Sequence, residues 1–164
     1  MRDVYRRDGS KTGRILANKN EMQPGDYFRH AIVILKASDG RYIMQQRGFK
    51  TKYYPGQWDV TGGGVEAGET SDIAGAREVY EELGLCVDPK DMTFMLTEVS
   101  DWGNDRGLII DTWFVKVEIP DEGFRLQAEE VNDVRLVDAK QFIDTVCYNK
   151  TEQYRAMLER TVEM

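Results

Sequence analysis

The strongest pattern in the chain is an apolar run followed, after a turn, by an alternating segment. Residues 30–35 are almost continuously apolar, Asp39-Gly40 favours a tight turn, and residues 41–47 alternate between apolar and polar side chains. These features predict a β-hairpin whose first strand is buried on both faces. A weaker hairpin is predicted over about residues 1–20, because Asp8-Gly9 separates two short segments rich in strand-forming residues.

A helical pattern occupies the middle of the chain. Apolar residues recur every three or four positions over residues 73–83, and Gly84 favours the end of a helix there. A short strand over residues 58–60 is predicted to lead into the glycine-rich segment 61–64. Further strands are predicted near residues 93–100, 108–117 and 133–137, and further helices over residues 139–146 and 151–162.

Length and composition are those of an ordinary globular chain, with 164 residues of which 41% are hydrophobic and 31% charged. No composition break or repeat divides the sequence, so residues 1–164 are predicted to form one α/β (α+β) domain with helices packed on a mixed sheet. The net charge of −7 argues against a nucleic-acid polymer as partner. There is no apolar run of membrane-spanning length and no signal-peptide stretch, which predicts no membrane association and a cytoplasmic location. Cys86 and Cys147 lack metal-ligand spacing, and both are predicted to be buried small hydrophobic residues.

The candidate chemistry lies in an acidic cluster on the predicted central helix. Glu78, Glu81 and Glu82 stand at positions i, i+3 and i+4, so a helix places them close together on one face. Three neighbouring negative charges near a helix C-terminus are unfavourable unless a cation neutralises them, and magnesium prefers such oxygen ligands. A solvated acidic helix end is the structural alternative, and these three residues alone do not decide between the two.

The stretch over residues 63–85 resembles the Nudix box, a pattern of fixed residues in the Nudix hydrolase family. The positions that match are Gly63, Glu69, Arg77, Glu78, Val79, Glu81, Glu82, Gly84 and Leu85. This resemblance implies a Nudix fold, an α/β/α sandwich with a mixed central sheet. It also implies hydrolysis of a phosphoanhydride bond with magnesium, or in some cases manganese. The segments that precede the box are residues 8–13 in the N-terminal hairpin, Gln45-Gln46-Arg47 and Pro55-Gly56-Gln57-Trp58. Together they resemble the subgroup related to isopentenyl diphosphate isomerase.

The resemblance implies the metal ligands residue by residue. Glu78 and Glu82 are expected to bind the metal, with Glu81 as a third ligand or a neighbour that acts through water. Gly63, or the adjacent Gly62, is expected to supply a backbone carbonyl.

The resemblance also implies the surrounding roles. Glu69 and Arg77 are expected to form a structural ion pair that holds the loop against the predicted catalytic helix. Arg77 is therefore included among the expected catalytic residues. For the general base, Glu130 is favoured, and Glu98 on the strand after the box is the competitor.

The expected partner is a small-molecule diphosphate, and Arg47, Lys52 and Arg106 are the candidate residues for binding it. A nucleoside diphosphate-linked compound and an isoprenoid diphosphate both stay open at this point. The family resemblance implies that the chain could form a homodimer. Two alternatives to hydrolysis are an isomerase, which would need a cysteine where this chain has Gly62–Gly64, and a non-catalytic nucleotide-binding module.

Overall fold

In the part of the chain that the structure describes, nine strands form one sheet flanked by three α-helices. The computed structural model describes residues 1–147 and 150–164. The strands are β1 (Arg2–Tyr5), β2 (Lys11–Leu16), β3 (Tyr27–Ala37), β4 (Tyr42–Arg47), β5 (Trp58–Asp59), β6 (Thr61–Gly64), β7 (Thr93–Gly103), β8 (Arg106–Val117) and β9 (Val131–Val137). The helices are α1 (Ser71–Leu83), α2 (Ala139–Val146) and α3 (Glu152–Thr161). None of the described helices is long and apolar enough to cross a membrane.

Strand β3 is the centre of the sheet. It pairs in parallel with β8 from Tyr27 to Ala37, and in antiparallel fashion with β1, β4 and β6. The remaining pairs, β1–β2, β4–β5, β4–β9 and β7–β8, are antiparallel. The predicted mixed sheet is therefore confirmed, and the apolar composition of β3 follows from its position between neighbours and under helices on both faces.

The helices cover the two faces of the sheet and give the predicted three layers. Val79 and Leu83 of α1 are fully buried in a core with Val33 and Leu35 of β3. On the opposite face, α2 and α3 pack in a core that includes Phe142, which stacks on Tyr42 with ring centroids 4.7 Å apart. Each such buried side chain contributes about 1.5–3 kcal/mol through removal of apolar surface from water.

The predicted turns and helix end are confirmed by the backbone. Gly9 and Gly40 adopt φ values of +87° and +89° in the two hairpin turns. Gly84 ends α1 in the left-handed conformation, at φ +74°, and its N–H donates to the carbonyl of Tyr80. Glycine adopts this conformation without the steric cost that a β-carbon imposes.

Two predictions about individual side chains were wrong. Ile73 was expected on the buried stripe of α1, but 48% of it is exposed, and Ala74 and Gly75 occupy the inner face instead. A β-carbon on Gly75 would come within 2.8 Å of Val33, so α1 packs on the sheet through small residues near its start. Cys86 was expected to be buried and is exposed, because it follows the helix end on the surface.

Candidate active site

Helix α1 directs two carboxylates toward the sheet. Glu78 and Glu82 are one turn apart on its inner side; the side chain of Glu78 is 15% exposed and Glu82 as a residue is 6% exposed. Glu81 lies at the rim, with 44% of its side chain exposed. The three glutamates therefore lie on neighbouring parts of the helix surface, but Glu82 is buried, Glu78 is half-buried and Glu81 is exposed.

The glycines of β6 lie directly beneath these carboxylates. Gly63 pairs with Ala31 of β3, and a β-carbon added to Gly63 would overlap the carboxylate of Glu78. A β-carbon on Gly62 would overlap the carbonyl oxygen of Ala31. A β-carbon at Gly62 would thus collide with β3, and one at Gly63 would collide with the carboxylate of Glu78. Both positions therefore require glycine.

Arg77 joins the box loop, β6 and α1 through its guanidinium group. Its Nε and Nη2 atoms donate to the two carboxylate oxygens of Glu69 at 2.9 and 3.0 Å, and Nη2 also donates to the carbonyl of Gly64 at 3.0 Å. Its Nη1 donates to Glu78 at 2.8 Å and to Glu81 at 3.3 Å. These bonds with Arg77 lower the pKa of Glu69 and raise that of Arg77. Two-point binding of a carboxylate fixes orientation as well as charge.

Burial leaves the two inner carboxylates with unusual proton affinities. The pKa of Glu82 is raised to about 8, chiefly by burial; the hydrogen bond from Gln45 opposes this shift, and the charges of Glu78 and Glu130 act in the same direction as burial. The pKa of Glu78 is also raised by burial, and the opposing effect of Arg77 is smaller. Two close carboxylates that are shielded from water resist being charged together unless a cation joins them.

The chemistry and packing of this group fit a divalent cation. Among the residues that the structure describes, no three acidic, histidine or cysteine side chains converge as a closed metal cage. Magnesium is bound in a different way, by one or two carboxylates together with water and substrate phosphates. Glu78, held against the backbone of Gly63, and Glu82, held by the backbone N–H of Gly62, provide such an open arrangement.

A groove of about 790 Å³ lies near the C-terminal end of α1, and none of the three glutamates of α1 lines it. It is formed by the loop after β4 and the segment before β9; its charged and amide-bearing lining residues are Arg47, Lys50, Lys52, Glu129, Glu130 and Asn132. The segment before β9 is tied to the end of α1, because the N–H of Gln127 donates to the carbonyl of Glu82 at 3.1 Å. It is tied to the opposite wall as well, by the bond from Gly48 N–H to the carbonyl of Glu130 at 2.8 Å.

Some of the residues predicted to bind substrate or to act as the general base lie together in this groove, and others lie elsewhere. Arg47, Lys52 and Glu130 line the groove, whereas Arg106 does not and begins β8 instead. Glu98 accepts a hydrogen bond of 2.6 Å from the hydroxyl of Thr151, immediately before α3, and so belongs to a different part of the molecule.

A second cavity, of about 490 Å³, is found between the N-terminal hairpin and the start of α1. Its two basic residues, Lys11 and Arg29, are paired with Asp3 at 2.7 Å and Asp111 at 2.9 Å. Because each cation already has a carboxylate partner, this cavity is less suited to a phosphate than the groove near Glu82.

Sequence reasoning missed Gln45 and Thr61. The amide nitrogen of Gln45 donates to the carboxylate of Glu82 at 2.8 Å, and the hydroxyl of Thr61 donates to the amide oxygen of Gln45 at 3.3 Å. The available signal was a glutamine at the end of the apolar segment Tyr42–Met44, since a polar residue at a buried strand position needs a partner.

Comparison with known proteins assigns this arrangement to a family. A model of the NUDIX domain matches residues 26–160, which includes β3 to β9 and every residue of the groove and of the acidic cluster. The chain belongs to the Nudix family. Nudix hydrolases generally use divalent metals, which agrees with the open carboxylate site on α1.

Individual relatives agree with this assignment. The chain is 32% identical over 151 residues to Nudix hydrolase 3 of Arabidopsis thaliana, covering 85% of this chain and 19% of that protein. It is 36% identical over 74 residues to the nucleoside triphosphatase NudI of Escherichia coli, covering 45% of this chain and 48% of that protein. The crystal structure of DR0079 from Deinococcus radiodurans superposes with a TM-score of 0.71 at 17% identity, covering 97% of both chains. This Nudix hydrolase chain thus spans under half the length of those two sequence relatives.

Proposed function

We propose that this Nudix hydrolase cleaves a phosphoanhydride bond in a nucleoside diphosphate-linked or similar small diphosphate, with Mg²⁺ or Mn²⁺ as cofactor. The observation that carries the proposal is the pair Glu78 and Glu82, half-buried and buried against the glycine backbone of β6, with a groove that contains basic residues connected to the same end of α1. Two closely spaced carboxylates near a groove that contains basic residues suit a cation that shares its coordination with phosphate oxygens.

The two sides of the groove have different charges, and each has a separate role in the proposal. Arg47, Lys50 and Lys52 lie on one side and attract the negative phosphates of the substrate. Of these, Lys52 is the better point-charge ligand, because the Nε of Arg47 already donates to the carbonyl of Tyr53 at 2.8 Å. When bound, the divalent cation would neutralise phosphate charge and assist the attack of water on phosphorus.

Glu130 is our choice for the general base. It is exposed in the groove, and its charge acts on Glu82, so it is close to the acidic pair without being buried in it. In the reaction, a water oxygen bonds to one phosphorus and the bond from that phosphorus to the bridging oxygen breaks. The water proton passes to the carboxylate of Glu130, and two phosphorylated products leave.

A nucleotide-type substrate is favoured over an isoprenoid diphosphate because the relative NudI is named as a nucleoside triphosphatase. The isomerase alternative has no cysteine near the carboxylates, since Cys86 is on the surface after α1 and Cys147 packs against the core beside α2 and α3. The cytoplasmic location and the homodimer stay predictions.

The test is an assay of nucleotides, nucleotide sugars and isoprenoid diphosphates with Mg²⁺ or Mn²⁺, using wild type, Glu82→Gln and the surface control Glu159→Gln. We expect metal-dependent hydrolysis by wild type and by the control, reduced by about 10²-fold or more in Glu82→Gln. In ¹⁸O-labelled water, one product phosphate should carry the label.

Other outcomes distinguish the alternatives. Conversion of isopentenyl diphosphate into its isomer, without uptake of label into phosphate, would establish the isomerase. Tight nucleotide binding with no turnover of any compound would favour the binding module, and equal activity of wild type and Glu82→Gln would overturn the proposal.

A further inference from the structure

We infer that Gln45, oriented by Thr61, is a positioning residue that fixes Glu82 for metal binding. This inference rests on the proposed function, because it assumes that Glu82 binds the divalent cation. Gln45 and Thr61 come from strands β4 and β6, and neither lies in the acidic segment that carries the family pattern.

The three side chains form a buried chain of hydrogen bonds. Thr61 Oγ1 bonds to Gln45 Oε1 at 3.3 Å, and Gln45 Nε2 donates to Glu82 Oε2 at 2.8 Å. Their exposed fractions are 2%, 3% and 6%, in the order Thr61, Gln45 and Glu82. Water therefore has little access to replace any member of the chain, so each bond must be made within the protein.

The chemistry of the groups fixes the direction of this chain. When Glu82 binds a cation it is ionised and only accepts hydrogen bonds, so the amide nitrogen of Gln45 must then point to Glu82. The amide oxygen then faces Thr61, whose hydroxyl must donate to it. Both donors point along the chain toward Glu82, and this arrangement suits the charged form of Glu82 that a metal needs.

The neutral amide of Gln45 holds Glu82 without cancelling its negative charge, as a basic residue would. Glu78 is held by the guanidinium of Arg77, which cancels much of its charge. Glu82 is held by the amide of Gln45 and by the backbone N–H of Gly62. Within the described residues, Glu82 forms no ion pair. The pair Glu78 and Glu82 thus keeps negative charge available for a divalent cation, while both carboxylates are fixed in place.

The fold explains why a glutamine of β4 reaches this position. Ile43 and Gln45 face α1, whereas Tyr42 and Met44 face the opposite core with α2 and α3. The next residue, Gln46, bonds to the carbonyl of Gly56 and to Asn132 instead. Only one glutamine of the pair therefore contacts the acidic site, and the strand register selects it.

The decisive measurement is the dissociation constant of Mn²⁺, obtained by electron paramagnetic resonance on the protein without substrate. We expect Gln45→Met to weaken Mn²⁺ binding by about tenfold or more, because partners of metal ligands typically contribute that much. Thr61→Val should act in the same direction to a smaller degree, and Thr61→Ser, which keeps the hydroxyl, should retain the wild-type affinity.

The control is Tyr42→Phe on the same strand. This variant removes a buried hydrogen bond of 2.8 Å to Thr161 on the opposite face, so it lowers stability without touching the acidic site. Its Mn²⁺ affinity should equal that of wild type. With the substrate found in the hydrolysis assay, the Gln45 variant should also need more metal for half-maximal rate while its kcat at saturating metal falls less.

The Mn²⁺ affinities of the variants distinguish a failure of this inference from a failure of the proposed function. If Glu82→Gln binds Mn²⁺ as tightly as wild type, the assignment of the metal site is wrong. If Glu82→Gln loses Mn²⁺ but Gln45→Met keeps wild-type affinity, the positioning role of Gln45 is overturned and the metal site stands. Should Gln45→Met fail to fold, unchanged Mn²⁺ affinity in Thr61→Val would overturn the role in the same way.

Discussion

Gly63 lies so close to the carboxylate of Glu78 that a β-carbon on the glycine would overlap it. The backbone of β6 therefore determines where the carboxylate can be, and we predict that Gly63→Ala displaces Glu78. A shift of about 1 Å in a catalytic group can reduce the rate by about 10²-fold. We expect kcat/KM to fall by about that factor while the protein stays folded, as judged by circular dichroism and urea unfolding.

Gly123→Ala is the matched control for this prediction. Gly123 has a φ of +78° and no heavy atom within 4 Å of an added β-carbon, so its substitution strains the backbone away from the site. It should cost about 1–2 kcal/mol of stability, the cost of a β-carbon in the left-handed conformation, and leave kcat/KM unchanged. Full activity in Gly63→Ala would show that Glu78 can move without loss.

The second prediction concerns Arg77, which holds Glu69 at two points and also bonds Gly64 and Glu78. Arg77→Lys keeps the charge but loses the two-point geometry, since an ammonium group cannot reproduce the guanidinium fork. We expect a loss of about 1–3 kcal/mol in the free energy of unfolding, measured with urea, together with reduced activity. Arg155→Lys, whose ion pair with Asp144 is exposed, should leave stability unchanged within the error of the measurement.

The third prediction separates the two candidates for the general base. Glu130 lies in the groove near Glu82, whereas Glu98 bonds Thr151 beside α3. Glu130→Gln should reduce kcat by about 10²–10⁴-fold with a small change in KM, because a missing base affects the proton transfer rather than binding. Glu98→Gln should retain kcat. If Glu98→Gln lowers kcat and Glu130→Gln does not, the general base is Glu98.

The sequence could predict the parts of this molecule that depend on local spacing. The acidic positions of α1, its end at Gly84 and the two hairpin turns are visible in short stretches of sequence. The fold class also follows from the order of apolar and alternating segments, since strands and helices have different periods.

Other features depend on contacts between distant segments and could not be predicted in this way. Gln45 reaches Glu82 only because of the register of β4 relative to α1, across 37 positions of sequence. The position of Glu130 depends on the bond between Gln127 and the end of α1. Ile73 was misplaced because periodicity treats all apolar residues alike, while the close approach of α1 to the sheet required Ala74 and Gly75.

The fourth prediction tests how the groove binds its substrate. Lys52 lines the groove opposite Glu130, and its ammonium group is suited to a phosphate oxygen. Lys52→Ala should raise KM about tenfold with little change in kcat, since a remote phosphate contact contributes to binding in ground and transition states alike. Lys140→Ala, which removes an exposed lysine of α2, should leave KM unchanged. An equal fall in kcat and kcat/KM for Lys52→Ala would instead place Lys52 at the reacting phosphate.

The last prediction concerns His30, the only histidine in the chain. Burial lowers the pKa of His30 to about 4, and the nearby positive charge of Arg2 acts in the same direction. In the unfolded chain a histidine has a pKa of about 6.5, so between pH 6.5 and 4 the unfolded state binds a proton that the native state does not. Protonation therefore favours unfolding in this range, and native stability falls as the pH is lowered.

His30→Gln removes this titration and provides the comparison. From pH 7 to pH 5, wild type should lose about 1–2 kcal/mol more stability than His30→Gln, as measured by urea unfolding at each pH. Because there is a single histidine, its ring resonances in a proton–carbon NMR titration report its pKa without ambiguity. A midpoint near 6.5 would mean that water solvates the ring, and the stability difference between the two proteins would then stay constant over this range.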